Sequence, residues 1–133
     1  MLKGTAHVSF VVEDMEKSLY FYCDILGLKR AFDMDLEGNP GLVYVSVRPG
    51  QYLELFHGGK RKYRNPEAAG GDHLCFEVDD IYEIAERLEK NGITLDVKPT
   101  QGRDFNYQCW AKDPDGNRIE FMKIDPRSPQ SQA

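Results

Sequence analysis

Displaced by 66 residues against itself, the sequence superimposes His7 on His73, Phe10 on Phe76, Val12 on Val78, Asp14 on Asp80, Gly50 on Gly116 and Glu54 on Glu120. A chain with such an internal duplication uses one supersecondary unit twice, so whatever buries one half must bury the other in the same way. The periodicities within each copy specify that unit as a strand, a helix and three further strands.

In the first copy, residues 5–12 form a β-rich run, and Asp14 is suited to cap a helix reaching about Leu26. Met15, Leu19, Tyr22 and Leu26 would form its packed face, with Gly27 as its stop. Strands are expected at 29–34, 42–47 and 52–56, separated by a Glu37-Gly-Asn-Pro-Gly41 turn and by Pro49-Gly50. The second copy repeats the plan. A strand at 73–78 leads to a helix at 81–90, with Ile81, Ile84, Ala85 and Leu88 inward and Gly92 as its stop. Strands at 95–98, 107–111 and 117–124 follow, the last two joined by the turn Asp113-Pro-Asp-Gly116.

This places module one at 4–58, a linker at 59–71, module two at 72–124 and a frayed tail at 125–133, all within a single domain of 133 residues. The linker carries Lys60, Arg61, Lys62 and Arg64, which read as a solvated loop, with a clamp for an anionic substrate as the alternative. At 41% hydrophobic and 29% charged, the composition favours neither disorder nor a membrane protein. A net charge of −5, from 17 basic and 22 acidic residues, argues against nucleic-acid binding. No apolar run approaches the roughly 20 residues of a membrane span, and the start of the chain has no signal-peptide pattern, so a cytoplasmic protein is expected. Cys23, Cys75 and Cys109 are odd in number and lack a CxxC pair, which suits reduced thiols.

Glu54 follows His7 by 47 residues, and Glu120 follows His73 by the same 47. Because strand side chains alternate, His7 shares a face with Ser9 and Val11, Glu54 with Tyr52 and Phe56, His73 with Cys75 and Glu77, and Glu120 with Arg118 and Met122. All four residues can therefore lie on faces that avoid the helices. Two imidazoles and two carboxylates suit a divalent transition metal. A hydrogen-bonded structural role is the alternative for either histidine alone, but an unpaired carboxylate between Ile119 and Phe121 would be costly to bury. His57 falls on the opposite face from Glu54 and reads as structural or surface, and Cys75 reads as a small buried filler rather than a redox ligand. Arg103, Asp104, Asn106, Gln108 and Trp110 form a polar and aromatic run into the seventh strand. Of these, Arg103, Gln108 and Trp110 are candidates for substrate contact, with a surface salt bridge the alternative for Arg103 and a core position for Trp110.

These residues give the chain a resemblance to the vicinal oxygen chelate superfamily, which includes glyoxalase I, methylmalonyl-CoA epimerase, extradiol dioxygenases and the fosfomycin- and bleomycin-resistance proteins. The resemblance spans residues 4–124. It rests on His7 with Val12-Glu-Asp-Met, Phe21-Tyr22 with Leu26-Gly-Leu28, Tyr52-Leu-Glu-Leu55, His73-Leu-Cys-Phe-Glu-Val-Asp-Asp80 and Asp113-Pro-Asp-Gly-Asn-Arg-Ile-Glu120. It implies an α+β fold of two tandem βαβββ modules, forming an open curved mixed sheet around a metal with the helices outside. His7, Glu54, His73 and Glu120 match the four ligand positions of glyoxalase I, implying one divalent ion, Zn, Ni, Co, Mn or Fe.

The reaction implied is that of a metal-dependent lyase or isomerase that removes a proton next to a carbonyl and stabilises the enediolate. Glu120 would be the base, with Glu54 the alternative, acting on a small molecule in a homodimer. An epimerase or thiol transferase of the same superfamily, or a drug-sequestering protein without chemistry, remains open. Glutathione-using bacterial enzymes of this kind carry an arginine soon after the first histidine and an asparagine after the first glutamate. Ser9-Phe-Val11 and Leu55-Phe-His-Gly58 stand there instead, so the resemblance does not extend to glutathione.

Overall fold

The computed structural model describes residues 1–36, 39–60 and 65–133. The chain divides into two compact units, residues 1–63 and 64–133, and the boundary falls inside the expected linker. Of the basic cluster, Lys60 is exposed, while Arg61, Lys62 and Arg64 lie outside the described residues. So do Glu37 and Gly38 of the expected turn.

Unit one contains β1 (His7–Val12), α1 (Met15–Leu19), β2 (Lys29–Leu36), β3 (Asn39–Arg48) and β4 (Gln51–His57). Its four strands form one sheet in the order β1-β4-β3-β2, with β1 parallel to β4 and the other pairs antiparallel. Unit two contains β5 (Leu74–Glu77), α2 (Ile81–Lys90), β6 (Val97–Gln101), β7 (Tyr107–Lys112), β8 (Arg118–Lys123) and α3 (Pro129–Gln132). Its sheet repeats the order as β5-β8-β7-β6, with β5 parallel to β8. Two mixed four-stranded sheets of identical topology are what two βαβββ modules require.

Both helices start where the sequence puts them. Asp14 accepts from the Lys17 amide at 3.1 Å, and Asp80 accepts from the Tyr82 and Glu83 amides at 2.8 and 3.2 Å. Both stop at a glycine in the left-handed region, Gly27 at φ 79° and Gly92 at φ 75°, where a side chain would be strained. The first helix differs from expectation inside these bounds. After Leu19 it widens into a π-helical segment, Tyr20–Ile25, in which the Leu26 amide donates to the Phe21 carbonyl at 3.0 Å. The wider turn rotates the packed face away from Met15, Leu19 and Leu26, so that Ser18, Phe21, Tyr22 and Ile25 are buried. In α2, Ile81, Ala85 and Leu88 face inward as the regular 3.6-residue period specifies.

The sheets alternate as their sequences do. Leu53 and Leu55 of β4, with Val12, Val43 and Val45, join the buried helix residues of unit one. Ile119 and Phe121 of β8 do the same with Cys109 and Ala111 in unit two. The expected sixth strand is displaced to Val97–Gln101. It is an edge strand with a register irregularity between Val97 and Thr100, where Pro99 has no amide to donate.

The start of the expected frayed tail, residues 125–128, is docked, while 129–133 are exposed. Asn106, 1% exposed, accepts the Asp125 amide at 2.9 Å, and Ser128, fully buried, caps α3 through the Ser131 amide at 3.1 Å. The Arg127 guanidinium lies 5.0 Å over the Phe105 ring and pairs with Asp125 at 2.9 Å. The segment is held by polar groups, which a search for apolar burial overlooks. No helix among the described residues is long and apolar enough to cross a membrane.

Candidate metal centre

Within unit one, His7 opens β1 and pairs in register with Tyr52, which sets Glu54 diagonally across the parallel β1–β4 ladder. His7 Nε2 lies 3.6 Å from Glu54 Oε2. Within unit two, His73 immediately precedes β5 and its Nε2 lies 3.0 Å from Glu120 Oε2. The structure thus brings each histidine to the glutamate that follows it by 47 residues. Both glutamates are on the sheet face opposite the helix-packed leucines, isoleucine and phenylalanine, because neighbours in a strand point to opposite sides. Glu120 is 5% exposed, a carboxylate that low dielectric would penalise without a partner.

The groups around the two pairs differ. The Tyr44 hydroxyl donates to Glu54 Oε1 at 2.6 Å. That bond, with burial second, raises the phenol above its ordinary value. Nothing similar reaches Glu120 from the equivalent position, because Trp110 points its Nε1 at Gln108 Oε1, 2.8 Å away. The Trp110 ring meets the His73 ring edge-on at 4.7 Å, as Tyr44 meets His7 at 5.8 Å, and carries the Arg118 guanidinium 4.6 Å from its centroid. His73 Nδ1 lies 2.8 Å from Asp72 Oδ2, and Arg118 pairs with the same carboxylate at 2.9 Å. A carboxylate on Nδ1 fixes the orientation of the ring, with Nε2 turned towards Glu120.

Two thiols report on the Glu120 charge. Cys75, the in-register neighbour of Glu120, is pushed up to about 12, first by burial of its thiol and then by that carboxylate. Cys109 is pushed up to about 11 by burial and then by Glu120. Neither is a thiolate at neutral pH, so neither is a soft ligand, and Cys75 is exposed on β5 rather than the buried filler expected, because the outer edge of that strand leaves its side chain uncovered.

The donor chemistry fits a divalent transition ion. Imidazole nitrogen and carboxylate oxygen bind such ions at about 2.1 Å, and two such bonds at a right angle separate their donors by about 3.0 Å. The His73–Glu120 separation of 3.0 Å matches that edge, and the His7–Glu54 separation of 3.6 Å is somewhat longer. Among the described residues no cluster of three or more His, Cys, Asp or Glu side chains is able to hold an ion, so each pair offers two donors and no more.

The residues expected to touch substrate separate. Gln108 and Trp110 lie on β7 beside the His73–Glu120 pair. Arg103 is exposed in the β6–β7 turn, before Tyr107, and Tyr107 itself is about 10 Å of strand from Trp110. Asn106 anchors the tail. Sequence reasoning missed Tyr44 and Asp72. The 66-residue offset superimposes Tyr44 on Trp110, an aromatic pair that could have drawn attention to both. His57 lies on the helix-facing side of β4, with a buried Nδ1 that has no hydrogen-bond partner among the described residues.

Comparison with known proteins follows the same outline. The family model described as the Glyoxalase/Bleomycin resistance protein/Dioxygenase superfamily matches residues 4–121. The chain is 34% identical over 128 residues to the uncharacterized protein YaeR of Escherichia coli, covering 92% of this chain and 97% of that one. It is 33% identical over 124 residues to a lactoylglutathione lyase of Neisseria meningitidis, covering 88% of each. The solved structure of the trypanothione-dependent glyoxalase I of Leishmania major superimposes with a TM-score of 0.73 at 27% identity, over 92% of this chain and 87% of that one. With the duplicated βαβββ topology, these matches establish that the chain belongs to the glyoxalase/bleomycin resistance protein/dioxygenase superfamily.

Proposed function

We propose that the protein is a glyoxalase I-like enzyme, a divalent-metal-dependent lyase or isomerase that moves a proton next to a carbonyl of a small molecule. The observation that carries this reading is the pair of His/Glu couples, His7 with Glu54 and His73 with Glu120, each set diagonally across a parallel strand pair with a nitrogen turned towards a carboxylate oxygen. Relatives named lactoylglutathione lyase at about one-third identity support the same reaction class. A drug-sequestering protein would have no need of two buried or half-buried carboxylates facing histidines.

His7, Glu54, His73 and Glu120 would hold the ion, one of Zn, Ni, Co, Mn or Fe, with the two couples drawn from one chain or from two copies in a homodimer. The bound ion supplies Lewis-acid polarisation of the substrate carbonyl and stabilises the negative charge that develops on its oxygen. Glu120 takes the proton from the adjacent carbon and returns it to the neighbouring one. Its near-complete burial keeps bulk water from competing for that proton. Asp72 holds His73 in place through Nδ1, so the ring stays oriented with Nε2 towards Glu120. Trp110 and Gln108 form the wall beside the couple and would contact the substrate, while Arg103, farther along the sheet, would reach only an extended substrate. The three free cysteines accord with a cytoplasmic setting.

The substrate is an α-hydroxycarbonyl or a thiohemiacetal, and recognition of glutathione as its thiol is not supported. Ser9-Phe-Val11 and Leu55-Phe-His-Gly58 lack the arginine and asparagine expected of glutathione users. Proton NMR in D₂O with methylglyoxal and a panel of thiols tests this. A lactoyl thioester is the expected product, and deuterium exchange next to the carbonyl without thioester would indicate an epimerase. A protein that takes up none of Zn²⁺, Ni²⁺, Co²⁺, Mn²⁺ or Fe²⁺ would sink the enzyme reading.

A further inference from the structure

Tyr44 and Trp110 occupy equivalent points of the duplicated sheets, each the cross-strand neighbour of its module's glutamate. Only Tyr44 donates to that glutamate, because the Trp110 indole is engaged by Gln108. The position equivalent to Gln108 in unit one is Leu42, which offers the phenol no competing acceptor. A 2.6 Å bond from hydroxyl to carboxylate is charge-assisted and directional. It commits Oε1 of Glu54 and leaves Oε2 as the oxygen turned to His7. The phenol is itself held, stacked on Phe32 at 4.4 Å and meeting the edge of Tyr52 at 5.8 Å.

We propose that Tyr44 is a positioning residue that fixes Glu54 as a permanent metal ligand and so leaves proton transfer to Glu120. The inference rests on the metal-dependent reading above. Duplication makes the two glutamates equivalent by backbone position, and one hydroxyl makes them unequal. A carboxylate with one oxygen tied to a phenol cannot swing away from the ion without breaking that bond, whereas the cross-strand group at Glu120 is the Cys75 thiol, a much weaker donor than a phenol.

The test is Zn²⁺ affinity of the full-length protein by competition with a chromophoric chelator, together with the visible absorption of the Co²⁺-loaded form. Tyr44→Phe is expected to weaken Zn²⁺ binding about 10–100-fold and to shift the Co²⁺ bands. Tyr52→Phe, which removes a neighbouring hydroxyl, is expected to leave both within about twofold of wild type. The double variant Tyr44→Phe/Glu54→Gln should bind no more weakly than Glu54→Gln alone, because the phenol acts through that carboxylate. Additive losses in the double variant, or an unchanged Tyr44→Phe in a protein that binds Zn²⁺ normally, would overturn the positioning role and leave the metal reading standing. A wild-type protein that takes up no Zn²⁺ and no Co²⁺ would overturn both.

Discussion

The two half-sites share a backbone and differ in what supports it. Positions 66 residues apart pair Ala6 with Asp72, Ser9 with Cys75, Leu42 with Gln108, Tyr44 with Trp110 and Tyr52 with Arg118, all around the same His/Glu couple. In unit one the support falls on the glutamate, through the Tyr44 hydroxyl. In unit two it falls on the histidine, through Asp72 and Arg118, while an aromatic ring edge meets the histidine in both units. Ala6 has no group to offer His7, and Trp110 spends its only donor on Gln108. A duplicated module therefore preserves where donors point while leaving each copy free to decide which donor is held.

The sharpest way to break this comparison is to change the two carboxylates separately. Glu120→Gln should lower turnover about 10²–10⁴-fold, the usual contribution of a positioned base. Glu54→Gln should act mainly by weakening metal binding, with turnover of the fully loaded enzyme much less affected. Proton NMR of product formation at saturating metal separates the two, and equal losses would erase the assigned division of labour.

Removing the support of His73 comes next. Asp72→Ala should weaken metal binding about 10–100-fold, measured by chelator competition. Ala6→Gly, at the equivalent place in unit one, should leave it unchanged, since no side-chain partner of His7 is lost there.

The Cys75/Ser9 difference offers a chemical probe of Glu120. With its pKa near 12 against an ordinary 9.0, Cys75 in the metal-free protein should be alkylated about 40-fold more slowly than a model thiol at pH 8, after allowing for the greater nucleophilicity of a more basic thiolate. Mass-spectrometric labelling rates measure this directly. Labelling at the model rate would mean that neither burial nor the Glu120 carboxylate holds the thiol protonated.

The smallest effect concerns the helix caps. Asp80 accepts two backbone amides and Asp14 one, so Asp80→Ala should lower the melting temperature by about 3–5 °C and Asp14→Ala by less. The Glu83 and Tyr82 amides hold the Asp80 carboxyl below its ordinary value. A depressed folded-state pKa contributes stability above the unfolded value, near 3.9, and that stability is lost as pH falls through the folded one. The gap between wild type and Asp80→Ala should therefore close as thermal unfolding is taken from pH 7 to below pH 4. A constant gap would mean that the cap acts through something other than the ionised carboxylate.

Strand alternation, two capping aspartates and two terminating glycines carried the module plan, since these are local signals with fixed geometry. The departures came where packing outweighed local preference. The π-helical turn at Tyr20–Ile25 exists because it brings Phe21, Tyr22 and Ile25 together into one core. The start of the tail is docked by Asn106 and Ser128, whose polar partners no hydropathy pattern reports. Arg103, grouped by sequence with Trp110, is separated from it by the β6–β7 turn and the first half of β7, because adjacency in the chain becomes distance along an extended strand.

By itself the sequence determined that the chain has two equivalent modules and which histidine belongs with which glutamate, because a repeat with a constant 47-residue interval preserves strand register and side-chain facing. Only tertiary structure decided how each donor is held. Tyr44 reaches Glu54 across the antiparallel β3–β4 ladder, and Arg118 meets Asp72 from 46 residues away, contacts made by folded strands rather than by neighbours in the chain.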